Sequence, residues 1–248
     1  MKKLLAIVAL LGLFAVSTTN MVLAQDGAAD TEEVVAAGEG GLTVIKRYFI
    51  EGDYIFMSFP LICLILGLAF CIERIITLSL ADVNTKKLMT DVEKAVSDKD
   101  LEKAKKICKA TRGPVASIMY QGLTRTDEGV DIVEKSVASY GSVQMGQLEK
   151  GLSWISLFIA LAPMLGFMGT VIGMVQAFDD IANAGAISAT IVASGIKVAL
   201  LTTVFGLIVA IILQIFYNFI ITKVEGIVNK MEDSSISFID VLVKNKIV

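Results

Sequence analysis

Three stretches of this chain, residues 54–80, 151–178 and 191–222, are so long and so apolar that water cannot be the solvent around them. A helix needs about 20 apolar residues to cross the hydrocarbon of a bilayer. Each stretch exceeds that length, and the charged residues inside them are Glu73, Arg74 and Lys197. In lipid, a segment must satisfy its own backbone hydrogen bonds, so a short list of structures remains, and uninterrupted apolar runs of this length select helices. With 55% of residues hydrophobic, the expected fold is an all-α integral membrane protein with three transmembrane helices.

The remaining segments set the order and the orientation. Residues 1–24 have Lys2 and Lys3, an apolar run and the small residues before Gln25 of a cleaved signal peptide, the alternative being an uncleaved anchor helix. Residues 25–53 then form an acidic, glycine-bearing periplasmic extension, with a short interfacial helix over 42–49. Residues 81–150 form a polar helical insert: from Asp82 onward it carries twelve Lys/Arg and eleven Asp/Glu. The loop over 179–190 holds Asp179 and Asp180 and no Lys or Arg, whereas the tail over 223–248 holds Lys223, Lys230, Lys244 and Lys246. Basic residues stay on the cytoplasmic side. That rule places the N-terminus outside and the insert and C-terminus in the cytoplasm. Cys108, in the insert, is then the native thiol expected to report the cytoplasmic side.

Within the insert, apolar residues recur at helical spacing, first at Leu88 and Val92 and then at Leu101, Ala104 and Cys108. Ser97 is the expected N-cap of the second helix. Gly113-Pro114 ends that pair, and a further helical stretch is expected from about Val115 through Leu148. The insert is charge-balanced and has no glycine-rich phosphate loop, so neither a nucleotide cofactor nor a nucleic-acid partner is expected. Glu73 and Arg74 read as an interfacial ion pair whose long side chains reach the headgroups.

At 100° per residue, Pro163, Gly166, Gly173 and Ala177 lie within about 60° of Thr170 on the second span. On the third span Ala199, Gly206, Ala210 and Gln214 gather around Thr203, with Tyr217 at the lower end. Small stripes of this kind serve ordinary helix packing. Two of them, each centred on a threonine, also suit the wall of a lumen. Neither span contains Asp, Glu or His, and the chain has no histidine at all. A proton relay needs a titratable group at mid-membrane. If protons pass, another polypeptide must bring the acid. The same census leaves no convergent acid, base and nucleophile for an enzyme and no His/Cys set for a metal, the three cysteines being expected to pack as small apolar residues.

The runs Leu148-Glu149-Lys150-Gly151-Leu152 and Ala162-Pro163-Met164-Leu165-Gly166-Phe167-Met168-Gly169-Thr170-Val171-Ile172-Gly173-Met174 resemble the second span of the MotA/TolQ/ExbB proton-channel family. Gly195-Ile196-Lys197-Val198-Ala199-Leu200-Leu201-Thr202-Thr203-Val204-Phe205-Gly206-Leu207 resembles its third. The resemblance implies a homo-oligomeric ring, generally a pentamer, whose second and third spans line a pore around an ExbD-like or TolR-like one-span partner. A membrane Asp of that partner takes up and releases protons, and the complex drives TonB, or TolA in the sister system. On this resemblance Thr170 and Thr203 match pore threonines, and Pro163 and Gly166 match small wall residues. One position departs: Val198 stands where ExbB sequences carry a Glu, with Lys197 beside it as a possible modulator of the pore.

The implied role is that of an ExbB-like subunit energising TonB-dependent transport. A TolQ-like role in envelope maintenance and, in a different class, a self-sufficient ion channel are the alternatives. The latter would need its own selectivity residues or internal repeats, which the sequence lacks. A flagellar stator subunit would have four spans.

Overall fold

A computed structural model describes residues 52, 54–184 and 189–247. The signal peptide, the interfacial helix over 42–49 and all but one residue of the acidic extension lie outside the described residues. Within them the secondary structure is helical, with no strand. The elements are α1 (Tyr54–Ala81), α2 (Thr85–Ser97), α3 (Leu101–Ala110), α4 (Pro114–Thr124), a 3-10 turn (Thr126–Glu128), α5 (Val130–Glu149), α6 (Leu152–Ala184) and α7 (Ala189–Lys244). Three helices are long and apolar enough to cross a membrane. Their outward surfaces carry Ile62, Ile65, Ile72, Phe167, Val171 and Ile211, all exposed, as suits contact with lipid tails.

The insert folds where its caps dictate. Asn84 Oδ1 accepts the N–H of Lys87 at 3.2 Å and starts α2. Asp100 Oδ1 accepts the N–H of Lys103 at 2.9 Å and starts α3. The expected N-cap Ser97 is instead the last residue of α2. A turn through Lys99, at φ 59°, moves the cap three residues onward, where a carboxylate satisfies a free N–H and also favours the positive end of the helix dipole. At Gly113 φ is 114°, and Pro114 follows at the first helical position, which ends the α2–α3 hairpin and begins α4.

The single helical stretch expected from Val115 to Leu148 is two helices. Gly129, at φ 95°, makes a break that a residue with a side chain would resist, and the 3-10 turn before it folds α5 back along α4. This places Phe238, near the end of α7, against α4: a Cβ at Gly122 would stand 2.6 Å from Phe238 Cε1. Phe238, Met119, Leu123, Val133 and Leu242 are fully or almost fully buried together, so the insert packs around the lower part of α7. Cys108 belongs to this core. It is 2% exposed, and burial pushes its thiol up to about 11, so it is a poor labelling site for the test expected of it.

Both long helices outrun their expected bounds. α6 continues through Asp179 and Asp180 to Ala184, and α7 has already begun at Ala189. α7 is one unbroken helix of 56 residues, about 84 Å long. The expected third span and the expected C-terminal helix are therefore a single rod.

Candidate functional site

The two threonine-centred stripes meet each other. A Cβ added at Gly206 would stand 2.6 Å from the Ala162 carbonyl oxygen and 3.1 Å from Gly166 Cα. One added at Gly166 would stand 2.9 Å from the Thr202 oxygen and 3.2 Å from Thr203 Cα. Farther up, Gly173 faces Ala199 at 3.5 Å, and Gly195 abuts Ala177. Backbones this close allow only hydrogen atoms at the contact, which is the reason for the small residues. Gly166, Gly173, Ala177, Ala199 and Gly206 are all buried in this seam between α6 and α7.

Thr170 and Thr203 lie at the edge of the seam, half-buried, and their hydroxyls are hydrogen-bonded to each other. Thr170 Oγ1 also lies 3.0 Å from the Ala199 carbonyl oxygen. Thr203 Oγ1 lies 3.3 Å from the carbonyl oxygens of both Gly166 and Ala199. Each of these two hydroxyls has one proton and two acceptor sites, so acceptor capacity is left over on the threonine oxygens. Such a cluster can accept a hydrogen bond from a water or a protonated carboxyl group. It cannot store a proton, because no member titrates near neutral pH.

The other residues of the two stripes divide by depth. Pro163 and Ala210 are half-buried on the flank with the threonines, as is Tyr217 below them. Pro163 has no N–H to give, so the helix leaves the Ile159 carbonyl without its usual partner about a third of the way along α6. Gln214 is exposed and donates from Nε2 to Asn218 Oδ1 at 3.1 Å. Lys197 is exposed on α7, about 120° from Thr203 and so off the seam.

Glu73 and Arg74 do pair, Nε to Oε2 at 3.0 Å, but Arg74 is buried and does not extend outward as expected. Its guanidinium lies over the turn at Gly151, where a Cβ would stand 3.2 Å from Nε. A glycine admits the planar group there, and the negative end of the α5 dipole next to it favours the charge.

Sequence reasoning missed three contributors. Thr202 is buried on the inner side of the seam, donates to the Ala199 oxygen at 2.8 Å and fills the space left by Gly169. Ser153 and Ser156 line a groove of about 530 Å³ below the threonines, together with Tyr217 and Ile221. Extending the helical projection two turns toward the start of α6 would have found Ser156, which is about 40° from Thr170. Thr202 gave no such signal, since its partner Gly169 was indistinguishable from the other glycines.

The profile of the MotA/TolQ/ExbB proton channel family matches residues 110–233, which include the entire Thr170–Thr203 seam. An ExbB homolog of Methanothermobacter thermautotrophicus is 35% identical over 122 residues, 49% of this chain and 43% of that protein. The biopolymer transport protein exbB1 of Vibrio cholerae is 28% identical over 163 residues, 62% of this chain and 70% of that one. The biopolymer transport protein ExbB of Aquifex aeolicus is 38% identical over 79 residues, 32% of this chain and 53% of its own. The match thus spans less than half of the first relative and about half of the last. With a family profile over residues 110–233, half of the chain and both small-residue stripes, this chain belongs to the MotA/TolQ/ExbB proton channel family.

Proposed function

We propose that the chain is an ExbB-like subunit of a motor in the bacterial inner membrane, driven by proton-motive force, that energises TonB-dependent transport across the outer membrane. Copies of it form a ring, a pentamer in our reading, with the flank that carries Thr170, Thr203, Pro163, Ala210 and Gln214 turned to the lumen. A one-span, ExbD-like partner occupies the lumen and carries the membrane Asp; a TonB-like transducer takes up the work. The observation that carries this reading is the hydroxyl cluster on a seam with no titratable group. Residues 152–178 and 198–222 contain no Asp, Glu, Lys, Arg or His. The wall can solvate and orient an acid but cannot replace it. The buried glycines have a second task in this scheme, which is to hold α6 and α7 at a fixed spacing while a partner moves against them.

Reconstitution tests the division of labour. In liposomes under an applied pH gradient, this protein alone should give little proton flux, and adding the partner should raise flux at least about tenfold. Changing the partner's membrane Asp to Asn should return it to the baseline. A flux through the ring alone as fast as that through the pair would replace this reading by the self-sufficient channel.

Orientation is tested with the cysteines removed and single ones introduced at exposed positions. Asn183→Cys, near the end of α6, should label with a membrane-impermeant maleimide added from the periplasm. Lys99→Cys, in the α2–α3 turn, should label only after the inner membrane is opened. The reverse pattern would invert the topology and remove the transport reading with it.

A further inference from the structure

Below the hydroxyl cluster the same flank of α7 stays open. Gln214, Ile221, Glu225, Glu232 and Ile239 all lie within about 40° of Thr203 around the helix. Two grooves follow one another along this line: the one of about 530 Å³ between α6 and α7, then one of about 450 Å³ between α5 and α7. The lower groove lies beyond the apolar part of α7, yet its walls are largely apolar, including Val137, Met145, Val228 and Ile236. Met145 is 40% exposed and Ile236 63%. An open apolar strip outside the membrane-crossing stretch is the mark of a surface that something covers.

Charge identifies the cover. Glu134 and Glu232 rim the lower groove and Glu149 and Glu225 the upper, and neither is lined by a Lys or Arg. None of the four glutamates is ion-paired among the described residues. α7 has sorted its charges by face. Lys223 Nζ donates to Ser79 Oγ at 2.7 Å and Lys230 pairs with Asp82 at 2.5 Å, both toward α1, while Glu225 and Glu232 face the grooves.

A second copy of the chain is poorly placed to supply the missing cations. Its basic surface is the α2–α3 hairpin, which packs beside Ile227 and Lys230 on the other side of α7. In a ring that turns the Thr203 flank to the lumen, this hairpin lies on the outer side of every copy, away from the grooves.

We propose that the lower groove binds the membrane-exit segment of the one-span partner, a peptide stretch in which Lys or Arg alternates with apolar residues. A span that ends on the cytoplasmic side carries its basic residues there. A partner helix lying along Thr203 and Gln214 delivers that stretch to the glutamate-rimmed groove, where its apolar side chains cover Ile236 and Met145. This rests on the proposed function, which supplies the partner.

The test places a photo-crosslinking amino acid at Ile236 or, separately, at Leu207 higher on the same flank, in the full chain purified with its partner. Crosslinked peptides are identified by mass spectrometry. Expected from Ile236 is a crosslink to the basic stretch beside the partner's span, reduced about tenfold by Glu134→Gln with Glu232→Gln. Glu93→Gln with Asp98→Asn, on exposed positions of the hairpin, should leave it unchanged. A crosslink from Ile236 to a second copy, or to nothing while Leu207 still captures the partner's span, overturns the groove assignment and leaves the proposed function standing. Failure at both positions, with no one-span protein in the complex, overturns both.

Discussion

Gly206→Ala and Gly226→Ala should change the stability of this protein in opposite directions, although both replace a glycine by the same residue in the same helix. At Gly206 the new methyl would meet the Ala162 oxygen at 2.6 Å and Gly166 Cα at 3.1 Å. Both are backbone atoms of a packed helix, so no side chain can rotate away and α6 and α7 must separate. Overpacking of this kind costs about 1–3 kcal/mol, and here it also pulls apart the Thr170–Thr203 contact. At Gly226 nothing lies within 4 Å of the added atom. That substitution gains the helix propensity of alanine over glycine, about 1 kcal/mol. In detergent, the first variant should melt several degrees below the parent, roughly 5 °C, and the second a few degrees above. Equal melting temperatures would mean that α6 and α7 do not touch in solution as described.

Thr170→Val and Thr203→Val are expected to preserve assembly and to lower energised transport by about tenfold or more. Valine has the shape of threonine without its hydroxyl, so the seam keeps its packing. What disappears is the hydrogen-bonding cluster at the level of the seam, with Gln214 and Tyr217 lying two or more turns below it, and the remaining hydroxyl turns to the Ala199 or Gly166 oxygen. Because the two hydroxyls act on each other, the double variant should lose little beyond either single one. Thr→Ser at either site should restore most of the activity. Wild-type transport in both valine variants would reduce the threonines to packing residues. Losses that simply multiply in the double variant would show instead that each hydroxyl acts alone.

Hydropathy made the three spans legible, because the length and polarity that lipid demands leave few alternatives for residues 54–80, 151–178 and 191–222. The family was legible as well, through the ordered runs around Thr170 and Thr203. Boundaries were less so. Ser97 and Asp100 are both good caps, and only the path of the chain through Lys99 decides between them. Gly129 looked like one more small residue in a helical pattern, and its positive φ is a property of the turn that precedes it. The stripes posed a harder problem. A helical projection shows which residues share a face but not what the face meets. Gly166 and Gly206 read equally well as wall or as contact, and each occupies the space that the other leaves. Arg74 shows the same limit, since its position depends on Gly151, far away in sequence and silent in any local pattern.

The continuity of α7 gives the molecule a mechanical property. Between Thr203 and Phe238 the helix has no proline and no break, and the two residues stand about 52 Å apart along its axis. A shaft of that length tilted by about 5° at one end moves the other by about 4.5 Å, more than the thickness of a side-chain layer. Phe238 cannot absorb such a movement alone, for it is wedged against Gly122 and fully enclosed. A push felt beside the threonines therefore reaches the far bundle as leverage, and the bundle must turn with the shaft or hold it still.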